Sequence, residues 1–404
     1  MTQRAFRLLI FLSLTVVSFT ATLSVASNTA LDHIDKEWQH YFETSEHYRK
    51  LDSRLMHEEL QSTKLQEPIK PPYADRFGFD PNNPSTWYST PSAKPILNII
   101  LSFQTPSGGW SKRTDMSQHP RQKGEAFGIE NGYIPTFDND ATTTQLRMLA
   151  NAATVTDDQK YRAAFLKGLS LILDAQYPNG GWPQNFPLTG DYHDHITYND
   201  NVMTNILSLL LEITDRKPPF QFVPADMREK SAIALKDGVE CILKTQVVVD
   251  DKLTIWGAQH NRTTLLPVAA RKFEPVALAS KESAVVVAFL MDIPKPDTQV
   301  INAIEDAMDW YKKAQIFGYR WELEIGVRSA LVKEPGAGPL WARFYEINSN
   351  RPIFGDRDGS IHYNVNEISK ERQIKYGWYT NEPIAILNRY PMWKDKLNTD
   401  TDKN

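Results

Sequence analysis

Asp138, Asn139 and Asp140 stand together in FDND (137–140), and Asp200 closes DYHDHITYND (191–200). Each group comes just before a run with helical apolar spacing. Carboxylates and an amide oxygen converging on one cleft mouth are hard donors suited to Ca²⁺. The same residue types also serve as helix N-caps without any metal. Spacing alone leaves both open, because the chain has no EF-hand loop. His193, Asp194 and His195 are a further candidate, for zinc, but histidines two positions apart do not share a helix face.

The basic set Lys112, Arg271, Arg343 and Arg357 is more informative. All four lie in polar connections between apolar runs, in GGWSKR, AARKFEP, LWARFYE and FGDRDGS. Arginine grips carboxylates through two parallel hydrogen bonds. One such residue is usually a surface ion pair. Several beside acidic metal candidates suggest a substrate that carries repeated carboxylates. The chain contains no nucleophile elbow, P-loop or dinucleotide fingerprint.

These segments need a scaffold, and a repeat supplies one. Gln104, Gln176, Gln246 and Gln315 each end an apolar-periodic run, at steps of 72, 70 and 69 residues. A loop with tryptophan follows each: GGW at 108–110 and 180–182, WGAQ at 256–259, YRW at 319–321. A second apolar helix then opens the next unit, beginning near residues 142, 201, 283 and 382. Alternating amphipathic and richly apolar helices predict an all-α dominated α/α toroid, an incomplete α/α barrel, with inner helices lining its axis. The paired glycines allow positive φ at a helix exit, and the tryptophans plug the rim.

The predicted organisation is a signal peptide at 1–26, an N-terminal helix and Pro-rich wrap-around segment at 27–84, a catalytic toroid at 85–393, and a polar, frayed tail at 394–404. Arg4 and Arg7 precede an apolar run from Leu8 to Phe19, and Ser24-Val25-Ala26 offers a cleavage site. The run is short for a membrane span, so an exported protein, secreted or periplasmic, is expected, with no membrane partner. A single cysteine, Cys241, excludes an intramolecular disulfide. The formal net charge of −4 at pH 7 means that a polyanion is gripped by a local cluster, and nothing suggests nucleic acid. A monomer is expected.

The ordered set GGWSKRTDM, TFDNDATTTQLRML, YPNGGWPQNFPL, ITYNDNVM, WGAQHNRTTLLPVAARKFEPVALASKESAVVVAFLM, WARFYEI and FGDRDGSIHYNV resembles family 10 of the polysaccharide lyases, the α/α-toroid pectate lyases. The resemblance runs from about residue 85 to about 393. It implies that Asp138, Asn139 and Asp200 hold Ca²⁺ against the substrate, with Asp138 also touching it. It implies Arg271 as the Brønsted base, and Lys112, Arg343 and Arg357 as binders of uronate carboxylates. The implied reaction is anti β-elimination of α-1,4-polygalacturonate or its oligogalacturonides, giving 4,5-unsaturated products. Two rivals differ in chemistry. A triterpene cyclase shares Gln-x-x-x-Gly-x-Trp loops but needs an aromatic-lined cavity, and a non-catalytic polyuronate-binding protein forms no new double bond.

Overall fold

The computed structural model describes residues 17–130 and 135–401. Most of the predicted leader, 1–16, falls outside the described residues. Outer helices α2 (Ala93–Ser102), α4 (Gln159–Asp174), α6 (Ala225–Thr245) and α8 (Thr298–Lys313) alternate with inner helices α3 (Thr143–Thr156), α5 (Val202–Thr214), α7 (Ser280–Leu290) and α10 (Pro383–Thr401), with the short α9 (Lys370–Ile374) before the last. This is the expected toroid. The inner helices are apolar nearly all round because they pack on both sides: Ile206, Leu207, Leu209 and Leu210 of α5 are all fully buried. Helix α10 continues to Thr401, through much of the segment expected to be a frayed tail.

The repeating glutamines are staples between units. Gln104 Nε2 donates to Gly108 O at 2.8 Å and to Ala164 O of α4 at 2.9 Å. Gln176 Nε2 donates to Gly180 O at 3.0 Å and to Ala234 O of α6 at 2.8 Å. Gln246 Nε2 reaches Thr254 O at 2.8 Å and Ala303 O of α8 at 3.0 Å. One amide group thus bonds both a loop carbonyl of its own unit and a backbone carbonyl of the next outer helix.

The tryptophans repeat in the same way. The indoles of Trp110, Trp182 and Trp256 donate to Ile100 O, Ile172 O and Ile242 O at 2.8, 2.8 and 2.7 Å. The fourth member is Trp341, whose indole donates to Tyr311 O at 3.0 Å. Trp321, the expected one, sits instead on a β-hairpin formed by Tyr319–Glu324 and Arg328–Lys333. Ile316 and Leu340 exchange backbone hydrogen bonds of 2.9 and 3.0 Å and close the base of this insert. The insert lengthens the last step of the repeat.

The glycine at the loop exit is required twice over at the second unit. Gly180 has φ +91°, and a Cβ there would meet Asp237 O of α6 at 2.0 Å. Gly190 has φ +85° but nothing within 4 Å of a Cβ. Gly190→Ala should therefore cost only the left-handed penalty, about 1–2 kcal/mol, and Gly180→Ala clearly more. Equal denaturant midpoints for the two variants would contradict the close approach to α6.

Helix α1 (Val17–Thr63) lies outside the repeat and clasps its first two units. Tyr41 donates to Ala175 O at 3.1 Å and Tyr48 to Asp174 Oδ2 at 2.6 Å. Asp52 accepts from Ser107 N and Oγ, both at 2.7 Å, and Glu59 accepts from Arg121 and Gly124 N. Positions 41, 48, 52 and 59 fall on one helical stripe, so the amphipathic pattern carries polar anchors on its buried face.

Candidate active site

Two turns of closely similar backbone precede α3 and α5. Asn139 and Asp140 have φ of 50° and 63°, and Asp200 and Asn201 have 49° and 63°. Asn and Asp tolerate this left-handed geometry better than other non-glycine residues. Neither turn is a helix cap, since no side-chain cap bond is made at α3 or α5. The capping alternative therefore does not explain Asp138 or Asp200.

The residue before each turn, and the first residue of α7, is tied to the next unit two residues past its tryptophan. Phe137 N donates to Gln184 O at 2.9 Å, Tyr198 N to Ala258 O at 2.9 Å, and Ser280 N to Arg343 O at 2.9 Å. The position two after tryptophan is thus Lys112, Gln184, Ala258 and Arg343 in successive units. Lys112 and Arg343, chosen separately in the sequence, occupy equivalent places in the first and last unit.

Lys112 Nζ lies 2.5 Å from Asp138 Oδ2. The other oxygen of this buried carboxylate, Oδ1, has no hydrogen-bond donor. Asp200 is pushed up to about 7, first by burial and then by the neighbouring Asp138 carboxylate, while Arg343 opposes the shift. Asn199 Nδ2 donates to Asp200 Oδ2 at 2.7 Å, and Arg343 donates to Asn199 Oδ1 at 2.8 Å. Arg343 is itself buried and paired with Glu282 in the first turn of α7.

A second group adjoins the first. Arg271 holds Glu274 through Nε at 2.7 Å and Nη2 at 2.5 Å. Burial works against its charge, but the Glu274 carboxylate outweighs this and holds the guanidinium well above its ordinary value. Tyr376 donates to Glu274 Oε1 at 2.8 Å, and the Arg343 guanidinium lies 4.4 Å from the Tyr376 ring centre. The guanidinium carbons of Arg271 and Arg357 lie 4.8 and 5.3 Å from the Phe273 ring centre, and that of Arg372 lies 4.3 Å from it, so these cations gather on one aromatic ring. The cluster presents cations against paired carboxylates, an arrangement that suits recognition of an acidic polymer.

Residues 104–387 match the family described as pectic acid lyase. The chain belongs to the pectic acid lyase family. It is similar to the family 10 polysaccharide lyase from Cellvibrio cellulosa, at 31% identity and a TM-score of 0.69, covering 80% of this chain and 99% of that one. A mutant of a family 10 lyase from the same organism, solved in complex with trigalacturonic acid, matches at 31% identity and a TM-score of 0.68, with 78% and 98% covered. No curated protein matches the chain significantly. The protein is thus a polysaccharide lyase, which removes both the triterpene cyclase and the non-catalytic binder.

Among the site residues read from the sequence, the lyase fold gathers Lys112, Asp138, Asn139, Asp200 and Arg343 near the turns, and Arg271 with Arg357 around Phe273. The four cations among them are each paired with a carboxylate. Lys112, Arg271 and Arg343 are bound to Asp138, Glu274 and Glu282, and Arg357 holds Glu371 at 3.0 and 3.1 Å. The zinc candidate fails: His193 bonds Asp191, and Asp194 accepts from Thr189 N, Gly190 N and Arg262. Among the described residues no three His, Cys, Asp or Glu side chains gather as a metal site. Two carboxylates and an amide remain as the cation donors. The donorless Asp138 Oδ1 and the strained charge of Asp200 are what a hard cation would relieve, so Asp138, Asn139 and Asp200 fit Ca²⁺. Glu274, Glu282, Asn199 and Tyr376 were missed from the sequence. Only Glu274, three residues after Arg271, left a local signal there.

Proposed function

We propose that this lyase is a pectate lyase that cleaves α-1,4-polygalacturonate and its oligogalacturonides by Ca²⁺-assisted anti β-elimination. The observation that carries this reading is the cation set Lys112, Arg271, Arg343 and Arg357 beside the Asp138–Asp200 pair, in a family whose solved relative binds trigalacturonic acid.

The proton at C5 of a uronate is α to a carboxylate, whose charge must be withdrawn before a carbanion-like state can form. Ca²⁺ held by Asp138, Asn139 and Asp200 would supply Lewis-acid withdrawal there. Lys112 neutralises the outer oxygen of Asp138 and keeps a second positive charge at the same place. Arg357 reads a neighbouring uronate carboxylate. Arg271, in its neutral form, accepts the C5 proton and becomes the guanidinium; the C5–H electron pair becomes the C4–C5 double bond, and the C4–O pair leaves with the glycosidic oxygen, which takes a proton from solvent. Arg343 holds Glu282 and Asn199 so that the turn at Asp200 keeps its place. The apolar leader exports the enzyme, and no described helix is long and apolar enough to cross a membrane.

The test is the absorbance of the new unsaturated uronide when the chain is mixed with de-esterified polygalacturonate and Ca²⁺. Excess chelator should abolish turnover and added Ca²⁺ restore it, with Zn²⁺ a poor substitute for an oxygen-only set. No absorbance gain would refute the pectate reading, and full activity in chelator would refute the calcium assignment alone.

A further inference from the structure

A cavity of about 350 Å³ opens beside Asn139 and Asp200, and one wall is Arg76 of the Pro-rich segment, with Arg113 close by. Arg76 precedes the stretch that matches the family, residues 104–387. The segment that carries it is nevertheless fixed. Asp115 N donates to Pro72 O at 2.9 Å, Ala74 N to Arg113 O at 3.0 Å, and Met116 N to Phe77 O at 2.8 Å. Phe77 anchors the next position, only 2% exposed. Arg76 is therefore presented from a backbone zipped to the strand of chain that bears Lys112 and Arg113.

Resting on the pectate reading, we propose that Arg76 and Arg113 form an anionic subsite that takes the carboxylate of a uronate next to the one held at Asp138, Asn139 and Asp200. Arg76 Nη2 lies 2.8 Å from Asp140 Oδ2, and the other Asp140 oxygen accepts from Asn205 Nδ2 at 2.9 Å. Asp140 thus orients the guanidinium from one side. The Arg76 side chain keeps 66% of its surface exposed, so its remaining donors face the opening. Arg113 adds a second cation, 3.7 Å from Glu130 and about half exposed. Its φ of 56° sends it out of line with Lys112, so consecutive cations reach two places, Asp138 and the cavity rim. A non-glycine residue in this conformation is strained and persists where surrounding structure imposes it. The four turn residues on the opposite wall share it. An exposed ion pair adds little stability, so holding the Pro-rich segment in place is a weak reason for Arg76. A polymer with one carboxylate per sugar supplies a ligand that fits two preset cations.

The test uses the full chain with Arg271→Ala, which is expected to slow turnover, and measures binding of oligogalacturonides of increasing length by calorimetry, with and without Arg76→Ala. The affinity of the parent should rise at one length step by about tenfold or more, the value of one charged hydrogen bond. Arg76→Ala should lose that step, and Arg76→Lys should keep part of it. Coincident affinity–length curves for Arg76→Ala and its parent would overturn the subsite. No binding by the parent at any length would overturn the pectate reading and the subsite with it. Unchanged melting of Arg76→Ala shows that a lost step is not lost folding.

Discussion

Arg271→Ala is expected to lower kcat on saturating polygalacturonate with Ca²⁺ by at least ~10²–10⁴-fold, the usual cost of removing a general base. The loss should fall on kcat, because the proton is shared only in the transition state. Arg271 would be a demanding base. Glu274 binds it through two donors and holds its pKa up, so in this state the guanidinium is charged. A raised pKa means that the neutral form grows with pH throughout the accessible range. Wild-type kcat should therefore climb toward alkaline pH. Arg271→Lys, with an ordinary pKa near 10.4, should recover part of the rate as pH rises. If kcat of Arg271→Ala stays near wild type, Arg271 is a carboxylate binder and the proton goes elsewhere. Lys112 is the next candidate, already within reach of Asp138.

Arg343→Ala is expected to cost about 3–5 kcal/mol of folding stability as well as activity, because it strands a buried charge. Glu282 is only 3% exposed, and its second oxygen already lacks a donor. Asp200 would lose a cation that opposes its neighbours. Chemical denaturation measures the loss. A double variant, Arg343→Met with Glu282→Met, removes both charges and should regain much of the stability, since replacing a buried pair by apolar groups is often neutral. Its activity separates two roles. Stability regained without activity places Arg343 in the working site, and wild-type stability in Arg343→Ala would contradict the buried pair altogether.

The scaffold was readable because its rules are local. Apolar residues at helical spacing, glutamines closing each run and glycines at the exits all act within one unit, so the period fixed the toroid. The partners of those residues were not local. Nothing near Gln104 shows that its amide reaches Ala164, and the hairpin insert hid Trp341 behind Trp321. With the fourth tryptophan misplaced, the equivalence of Lys112 and Arg343 was invisible.

The candidate site divides along the same line. The sequence by itself determined which residue types we propose for the site: oxygen donors in paired turns, cations in polar loops, and the motifs that mark the family. Only the tertiary structure decided how those charges are balanced. Arg343 meets Glu282 across 61 residues, Arg76 meets Asp140 across 64, and Asn199 meets Arg343 across 144. A buried charge needs a partner, whatever the chain distance to it. Sequence spacing names the groups that carry charge, and ring closure alone decides which of them touch.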